Sequence, residues 1–424
     1  MHSLRIAIAG AGTTGLAAAA FLSRAGHDVR IFERFDAPRP LGAGILLQPT
    51  GLACLACLGL DREAIALGAR IDTIEGKTLT GRSVLDMAYA DLAPHYFGLG
   101  IHRGALFDLL YREVQRLAVP ITAATAVAAS RFAPEGRFLV DAAGREHGPF
   151  DLVVDATGLR SALRAVVAPA DRERRFAWGA LWSAVPLPAS WPARNTLRQR
   201  YDGAALMIGV LPIGRLPGED RELAAFFWSL RADHYEPWRE AGIEAWRRRV
   251  LAAWPDIEPL VAPLRRPEDL TFATYSDLTV PHPCAARLAV IGDAAHCTSP
   301  QLGQGANLGL ADALTLATSL DRSASLPEAL QTYAATRRRH VRFYQWASRR
   351  LTPFFQSDSR TAGRLRDLTF GPMGRLPYLR GEMLATLAGI KTGLLTRMDP
   401  GGWHTDYALE TGAIARQQAA RRPA

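Results

Sequence analysis

A glycine-rich turn near the start of the chain constrains the fold more than any other feature. The apolar run Leu4 to Ala9 leads directly into Gly10-Ala-Gly12-Thr-Thr14-Gly15 and then into an alanine-rich helical stretch, and a second strand-like run ends at Glu33. Strand, glycine turn, helix and a second strand with a terminal acid are typical of dinucleotide-binding βαβ units. The sequence therefore predicts a Rossmann-like nucleotide-binding domain at the N-terminus.

Each residue of this turn has a physical reason to be there. Gly10 permits the tight turn, Gly12 lets a pyrophosphate approach the backbone, and Gly15 lets the helix pack closely on the strand. The helix N-terminus at Thr14 faces the phosphate. Glu33 stands where an acid would bind a ribose, with Arg34 beside it. These features do not choose between NAD and FAD.

Two later segments add strand-turn-helix signals. In the first, a strand-like run over 150–155 is followed by Thr157-Gly158 and by Ser161, a residue able to cap a helix. In the second, the run Leu288 to Ile291 leads into Gly292-Asp293-Ala-Ala-His296-Cys-Thr-Ser-Pro300-Gln-Leu-Gly303-Gln-Gly305-Ala306-Asn307 and then into a helix. Together with the first turn, these segments predict one nucleotide site assembled from three parts of the chain.

The chain resembles the flavoprotein monooxygenases of the para-hydroxybenzoate hydroxylase type, the single-component aromatic hydroxylases that use FAD and NAD(P)H. Three family motifs occur in order: the first glycine turn, a central segment usually written D-G-x-x-S-x-x-R, and the late G-D-A-A-H-x-x-x-P-x-x-G-Q-G-x-N, which the chain matches throughout. The central motif departs from the family because Thr157 stands where the aspartate is expected. We therefore expect loose specificity or low affinity for the pyridine nucleotide.

The resemblance implies bound FAD and a set of residues that hold it. Asp293 would accept hydrogen bonds from the ribityl hydroxyls, and the helix start after Pro300 would stabilise negative charge on the flavin. Gly44, in the segment Leu41 to Gln48, would lie along the flavin edge, and Arg103 would reach the FAD. The predicted cofactor-binding residues are Gly10, Gly12, Thr14, Gly15, Glu33, Arg34, Gly44, Arg103, Gly158, Asp293, Pro300, Gly303, Gly305, Ala306 and Asn307.

The resemblance also implies the architecture. We expect an α/β fold: a Rossmann-like FAD-binding domain with an inserted β-sheet substrate domain and a C-terminal helical segment. The expected FAD-binding domain is discontinuous, over 1–72, 99–172 and 268–345, the substrate domain covers 73–98 and 173–267, and the C-terminal segment covers 346–424. Within that last segment we expect a helix from Gly381 to Arg397 and a fraying end from Arg416 to Ala424.

The predicted substrate sheet comprises runs over 180–187, 196–201, 204–211 and 222–230, with Asp202-Gly203 as a hairpin turn. Candidate pocket residues on its strands are Tyr201, Met207, Phe227 and Trp228. Relatives that act on carboxylated phenols often carry an arginine shortly after a tryptophan in the first strand, whereas Ser183 and Ala184 follow Trp182 here. We therefore expect an aromatic or polyketide-like substrate without that carboxylate.

The implied reaction is hydroxylation or epoxidation by NAD(P)H and O2 through a flavin C4a-hydroperoxide. The flavin carries this chemistry, so no catalytic residue is assigned. His296 is interpreted as a packing residue rather than an acid or base. Alternatives are a related FAD-dependent halogenase, a reductase or oxidase, and a non-catalytic flavin or nucleic-acid binding protein. A halogenase is disfavoured because Trp178 to Trp182 does not match its W-x-W-x-I-P motif.

Composition limits the remaining classes. The 424 residues are 48% hydrophobic and 21% charged, and the net charge of +9 comes almost entirely from arginine. The arginine- and aromatic-rich run over 337–350 is interpreted as an amphipathic helix with its aromatics inward, not as a nucleic-acid surface. Cys54 and Cys57 lie in an apolar helical run, which favours packing over a metal site. We expect a cytoplasmic protein without a membrane span. The apolar positions of the C-terminal segment are expected to pack within the fold, with covering the active site or forming a homodimer face as the alternatives.

Overall fold

The computed structural model describes residues 2–38, 43–169 and 173–403. Their strands are β1 Arg5–Ala9, β2 Asp28–Phe32, β3 Gly44–Leu47, β4 Ala69–Ile71, β5 Thr73–Thr78, β6 Ser83–Ala88, β7 Gly98–His102, β8 Ile121–Thr122, β9 Val127–Ala133, β10 Gly136–Asp141, β11 Glu146–Phe150, β12 Leu152–Asp155, β13 Arg174–Pro186, β14 Thr196–Asp202, β15 Leu206–Gly214, β16 Leu223–Arg231, β17 Thr271–Asp277, β18 Cys284–Ala285 and β19 Leu288–Val290.

The helices within the same described ranges are α1 Thr13–Arg24, α2 Pro49–Cys57, α3 Asp61–Leu67, α4 Arg103–Arg116, α5 Arg164–Val167, α6 Tyr235–Ala253, α7 Glu258–Val261, α8 Asp293–His296, α9 Gly305–Arg322, α10 Leu326–Phe355, α11 Arg360–Met373 and α12 Pro377–Leu387. Short 3-10 turns at Tyr89–Asp91 and Pro300–Leu302 also matter for the site. Among the described residues, none of the helices combines the length and the hydropathy of a membrane span.

A sheet in the order β18-β19-β12-β1-β2-β8 forms the nucleotide-binding half. Its strands β19, β12, β1, β2 and β8 run parallel. Their near-continuous apolar residues are buried, as expected for a parallel sheet covered on its faces. Because the carboxyl ends of β1, β12 and β19 meet at one edge, the three glycine-bearing segments that follow them converge there.

A second sheet in the order β17-β13-β16-β15-β14-β5-β6 is antiparallel except at the β14–β5 pair. One face packs on α6 and α7 through Trp228, Trp246 and Ile208. The other face looks toward β3, β7 and the C-terminal helices. The α/β class with a Rossmann-like part, an added β-sheet and a C-terminal helical segment is therefore confirmed.

The domain boundaries stay a prediction. β17 lies within 268–345, which the sequence assigned to the FAD-binding domain, yet it pairs with β13 at the edge of the substrate sheet. The hairpin at Asp202 also differs in detail. Asp202 pairs with Leu206, so the loop has three residues and β15 begins later than the predicted Ala204.

The predicted helix from Gly381 to Arg397 is wrong beyond Leu387. Gly389 adopts a φ of +85°, which a right-handed helix does not contain. Lys391 then turns its ammonium to Glu382 and to the Leu394 carbonyl, and a bridge pairs Lys391 with Arg397. The predicted fraying end from Arg416 to Ala424 lies outside the described residues.

The arginine-rich run forms the middle of α10, as expected for an amphipathic helix. Phe343 and Tyr344 face inward, but Trp346 is 45% exposed, so the prediction that all aromatics point inward is wrong. Trp346 lies on the opposite side of the helix from the buried row that contains Tyr344 and Ala347. Arg337, by contrast, is buried and ion-paired.

Cys54 and Cys57 are free cysteines on α2, packed in the core of the nucleotide-binding half. Burial raises the pKa of the Cys57 thiol to about 12. Neither thiol is therefore ionised near neutral pH, which fits a packing role rather than redox chemistry.

Candidate active site

The first glycine turn has the geometry that a phosphate needs. Gly10 has a φ of +98°, and a Cβ on it would lie 2.6 Å from the Ala156 carbonyl oxygen. A Cβ on Gly15 would lie 2.0 Å from the Gly10 carbonyl oxygen, whereas a Cβ on Gly12 would meet no atom within 4 Å. Gly10 and Gly15 thus serve tight packing, and Gly12 borders open space at the N-terminus of α1.

Glu33 joins this turn directly. Its carboxylate is 6% exposed and accepts hydrogen bonds from Ala11 N at 2.7 Å and from Phe35 N at 3.0 Å. Two carboxylate oxygens have about four acceptor positions, so Glu33 retains capacity for ribose hydroxyls. Arg34 is exposed, with its guanidinium 4.6 Å from the centroid of the Phe35 ring.

The late motif packs against the first turn through Thr14. Cβ atoms on Gly292 and Gly309 would lie 2.8 Å and 2.2 Å from Thr14 Oγ1. Both glycines therefore make room for the Thr14 side chain, which the sequence had assigned only to the cofactor. Asp293 is exposed, and a Cβ on Gly305 would lie 3.8 Å from its Oδ1. No hydrogen bond to the Asp293 carboxylate occurs within the described ranges.

The start of α9 is a helix N-terminus without a side-chain cap. The chain enters it through the turn at Pro300–Leu302 and through Gly303, which has a φ of +61°. The first intrahelical bond runs from Leu308 N to the Gln304 carbonyl at 2.8 Å. The N–H groups of Gly305, Ala306 and Asn307 therefore have no partner within the helix, and the helix dipole adds positive potential at this point.

Asn307 also has a structural role that the sequence did not reveal. Its Oδ1 accepts a hydrogen bond from Gln48 N at 2.9 Å, and its Nδ2 donates to the Gly303 carbonyl at 2.8 Å. A Cβ on Gly51 would lie 2.1 Å from the same Oδ1. The side chain therefore joins the start of α2 to the start of α9.

Gly44 and Arg103 lie beside each other where β3 pairs with β7. Arg103 is the exposed first residue of α4, and its N–H donates to the Ala43 carbonyl at 2.9 Å. A Cβ on Gly44 would lie 2.6 Å from Ile213 Cγ2, so packing against the substrate sheet itself requires a glycine there. The neighbouring Leu41 and Gly42 of the predicted flavin-edge segment lie outside the described residues.

The central motif is organised by Asp155 at the end of β12. This fully buried carboxylate accepts hydrogen bonds from Thr157 N at 3.1 Å, from Thr157 Oγ1 at 2.6 Å and from Ser161 Oγ. Burial raises the pKa of Asp155. Gly158 follows with a φ of +79° and open space around its Cα. Arg164 is buried and donates to the Leu159 carbonyl at 2.8 Å, so it supports the loop.

These groups fit FAD as a donor and acceptor set. The free N–H groups of α1 at Gly12 suit a pyrophosphate, Glu33 and Asp293 suit two sets of sugar hydroxyls, and the start of α9 suits the electron-rich end of the flavin ring. The open space at Gly12, Gly158 and Gly303 lies at the same edge of the parallel sheet. One elongated ligand with this order of groups can span it.

Comparison with known proteins agrees with this geometry. Residues 3–345 match the family described as "FAD binding domain". The chain belongs to the FAD-dependent aromatic hydroxylases of the para-hydroxybenzoate hydroxylase type. It is 28% identical to the aurachin C monooxygenase/isomerase of Stigmatella aurantiaca over 87% of this chain and 99% of that protein. It is 30% identical to the 3-amino-4-hydroxybenzoate 2-monooxygenase of Streptomyces cremeus, covering 79% and 84%.

The fold of this FAD-dependent hydroxylase is also that of a solved structure, Klebsiella pneumoniae HpxO complexed with FAD and uric acid. The TM-score is 0.77 at 20% identity, covering 91% of this chain and 97% of that one.

The pocket candidates of this hydroxylase divide between the two faces of the substrate sheet. Tyr201, Met207 and Phe227 form a cluster on the face toward the C-terminal helices. Trp228 packs with Trp246 on the opposite face, so it does not share one pocket face with the other three candidates. Successive residues of a strand point to opposite faces, and Phe227 and Trp228 are adjacent.

Sequence reasoning missed Tyr275, on the edge strand β17. Its hydroxyl accepts a hydrogen bond from Trp182 Nε1 at 2.8 Å, and the Arg103 charge lies near enough to influence it. Burial raises the pKa of Tyr275 to about 12, so the hydroxyl keeps its proton. The pairing of β13 with β17 puts Thr271 opposite Trp182, and the side chain of Tyr275, four residues further along β17, reaches Trp182 Nε1.

His296 belongs to a buried ion network. Asp312 accepts hydrogen bonds from His296 Nε2 at 2.5 Å, from Arg337 Nε at 2.6 Å and from Gly292 N at 2.8 Å. Arg337 also contacts His340 Nδ1 at 2.6 Å. The charges of His296 and Arg337 outweigh burial and lower the pKa of Asp312 below its usual range. These contacts support the interpretation of His296 as a packing residue.

Proposed function

We propose that this enzyme binds an uncharged aromatic or polyketide-like substrate on one face of its substrate sheet and hydroxylates or epoxidises it with NAD(P)H and O2. FAD would be held by the predicted residues described above. The observation that carries the substrate class is the apolar, aromatic centre of that face.

Cross-strand pairs define this centre. Trp182, Phe227, Gly209, Gln199 and Gly76 lie opposite one another across β13, β16, β15, β14 and β5. The Trp182 and Phe227 rings are 5.0 Å apart, and a Cβ on Gly209 would lie 1.9 Å from the Phe227 ring. The Phe227 ring therefore occupies the space over Gly209, where a larger side chain would collide with it. Aromatic side chains at the centre of this face favour stacking with an aromatic ligand.

The next row toward β3 is aliphatic. It consists of Ala184, Ala225, Leu211, Leu197 and Ile74. Neither row carries a charged side chain. The Arg366 guanidinium lies 4.4 Å from the centroid of the Tyr201 ring on the same face, but it already donates to Asp367 and to the Phe354 carbonyl. A carboxylate placed on these rows would therefore lose its hydration without a free partner. Arg198 and Arg200 of β14 point to the other face, where both pair with Glu75. An uncharged aromatic is therefore favoured over a carboxylated phenol.

When bound, FAD supplies the redox and oxygen chemistry of the reaction. The chain's residues bind and position the reactants. The N–H groups and dipole at the start of α9 stabilise negative charge, and the apolar rows of the sheet exclude water. The hydrogen bond from Trp182 to Tyr275 fixes the edge of the aromatic surface beside Arg103.

The proposal also includes the oligomeric state of the enzyme and its location in the cell. Four apolar side chains of α11, α12 and the turn between them are more than half exposed: Leu365, Leu368, Leu376 and Tyr378. Exposed apolar groups of this kind support a homodimer through the C-terminal segment. The free cysteines support a cytoplasmic location. Light scattering at several protein concentrations measures the dimer.

The substrate class is tested by NADH and NADPH oxidation with the purified holoenzyme. The panel contains 4-quinolones and neutral phenols on one side and hydroxybenzoates on the other. We expect the neutral compounds to accelerate oxidation most, and labelled O2 to place one heavy oxygen in the product. Faster oxidation with the hydroxybenzoates would contradict the substrate class, and product without labelled oxygen would contradict the reaction.

The aromatic surface is tested by Trp182→Leu. We expect KM for the best aromatic to rise about tenfold, because stacking area and the Tyr275 contact are lost, while FAD content is unchanged. Trp346→Leu on the exposed side of α10 is the matched control and should leave KM unchanged. Equal effects of the two variants would exclude Trp182 from the pocket.

A further inference from the structure

Gln48, at the junction of β3 and α2, is a buried amide that only partly satisfies its hydrogen bonds. It is 1% exposed, and its backbone N–H is fixed by Asn307 Oδ1 at 2.9 Å. Its Oε1 accepts a hydrogen bond from Tyr89 Oη at 2.6 Å. Within the described residues its Nε2 has no hydrogen-bond partner. Nε2 itself is not fully enclosed, so the donors of this otherwise buried side chain open onto space that a ligand acceptor can occupy.

Tyr89 determines which way the amide points. The side chain is 1% exposed, and burial raises the pKa of its hydroxyl well above the usual value. The hydroxyl therefore keeps its proton and donates it to Gln48 Oε1. This contact turns the two N–H donors of Nε2 to the opposite side of the amide.

The Nε2 group faces the start of α9. A Cβ on Gly303 would lie 3.9 Å from Gln48 Nε2 and would have no other neighbour within 4 Å. Gly303 lies two residues before Gly305, the first of the three residues at the helix start whose N–H groups have no partner within the helix. Gln48 thus adds side-chain donors to a site that otherwise presents backbone donors, and a cluster of donors suits a ligand edge that only accepts hydrogen bonds.

We propose that Gln48 donates a hydrogen bond from Nε2 to the oxygen- and nitrogen-bearing end of the flavin ring at the start of α9, and that Tyr89 is its positioning residue. The inference rests on the proposed FAD site and deepens it. Because Tyr89 follows β6 of the substrate sheet while Gln48 follows β3, the contact also links the substrate half to the flavin end.

The test compares three variants with a matched control. Gln48→Met removes the donors with little change in volume, Gln48→Glu replaces them with a negative oxygen, and Tyr89→Phe removes only the orienting hydroxyl. The control is Tyr201→Phe. Tyr201 is equally buried and donates to Gln199 Oε1 at 2.7 Å, but this pair lies on β14, away from α9. Thermal unfolding of each holoprotein reports any general loss of stability.

The readouts are the Kd of FAD, the visible spectrum of bound FAD and its reduction potential. We expect the Kd to rise about tenfold in Gln48→Met and about threefold in Tyr89→Phe, since each loses one hydrogen-bond contribution in whole or in part. The potential should become more negative in both, and most negative in Gln48→Glu, because added negative charge opposes reduction. Tyr201 belongs to the proposed substrate face, so Tyr201→Phe is compared on the flavin readouts alone, and all three should stay unchanged.

Folded Gln48→Met with unchanged Kd, spectrum and potential would overturn the inference. So would unchanged flavin properties with weaker substrate binding, since Nε2 would then serve the substrate. If Gln48→Met does not fold, the inference is tested by the change in the Kd, spectrum and reduction potential of bound FAD in Tyr89→Phe relative to Tyr201→Phe. Failure of the wild-type protein to bind FAD is a different outcome, because it would overturn the proposed cofactor site itself.

Discussion

The N-termini of α1 and α9 present the same kind of surface but are built differently. Both helices begin without a side-chain cap next to glycines, and both leave N–H groups free. At α1 the supporting residues are close in sequence: Gly10 and Gly15 pack on each other, and Glu33 ends the next strand. At α9 the support comes from Gln48, Tyr89 and the Asp312 network, which are far apart in the chain.

The two helix starts are therefore vulnerable to different kinds of substitution. A substitution at the start of α1 disturbs backbone packing within one βαβ unit. A substitution in the support of α9 removes a distant partner and leaves buried polar or charged groups without it.

Asp312→Ala should have the largest effect. It leaves the Arg337 guanidinium buried without its carboxylate partner and also removes the acceptor of Gly292 N. We expect the free energy of unfolding to fall by about 3 to 5 kcal/mol. Urea denaturation measures it. The control, Asp108→Ala, breaks an exposed pair with Arg112 and should cost less than about 1 kcal/mol. Similar losses would show that the network does not support α9.

Gly15→Ala should destabilise the other start. The added Cβ would lie 2.0 Å from the Gly10 carbonyl oxygen, and backbone cannot move aside as a flexible side chain can. We expect a loss of about 3 kcal/mol, at the upper end of the usual cost of overpacking. Denaturant unfolding of the apoprotein measures it without contribution from the cofactor. A denaturation midpoint equal to that of the wild type would contradict this, because it would mean that β1 and α1 can move apart to accommodate the methyl group.

Gly12→Ala separates binding from folding at the same turn. No atom lies within 4 Å of the added Cβ, so unfolding should change by less than about 0.5 kcal/mol. The methyl group would occupy the space proposed for the pyrophosphate, and FAD should bind about tenfold more weakly. Fluorescence titration with FAD measures this effect. Unchanged affinity would place the phosphates elsewhere.

His340→Gln should have the smallest effect of these variants. It should weaken the dependence of the free energy of unfolding on pH. Burial, followed by the Arg337 charge, lowers the pKa of His340 well below 6.5. Below about pH 6.5 the His340 imidazole takes up a proton in the unfolded chain but not in the folded protein. The free energy of unfolding of the wild type therefore falls by about 1 kcal/mol toward pH 5.5. Asp312 has a lowered pKa and loses its contribution only in stronger acid. Glutamine keeps a donor for the Gly389 carbonyl but does not titrate in this range.

Unfolding free energies at pH 7.5 and 5.5 measure the effect of His340→Gln. His27, which follows α1 and has a pKa lowered to about 4, contributes a slope of the same sign to both proteins. The difference between wild type and variant therefore isolates His340. An identical slope in both proteins would contradict the prediction.

Much of the nucleotide half was predictable from sequence because its decisive contacts are local. The positions of Gly10, Gly12 and Gly15 follow from one turn between a strand and a helix, and the turn geometry depends on spacing alone. The late motif placed Asp293 and the start of α9 in the same way. The cofactor roles of these residues stay predictions, while the turns themselves occur where the sequence put them.

Tertiary structure alone decided the rest. The pairing of β17 with β13 places Tyr275 beside Trp182, and β-sheet parity turns Trp228 away from Phe227. Folding also brings Tyr89 to Gln48 and Arg337 to Asp312. The sequence determined the local turns, because neighbouring residues set backbone geometry by their spacing. It did not show these distant pairs, because they depend on strand order and on the packing of side chains from separate elements.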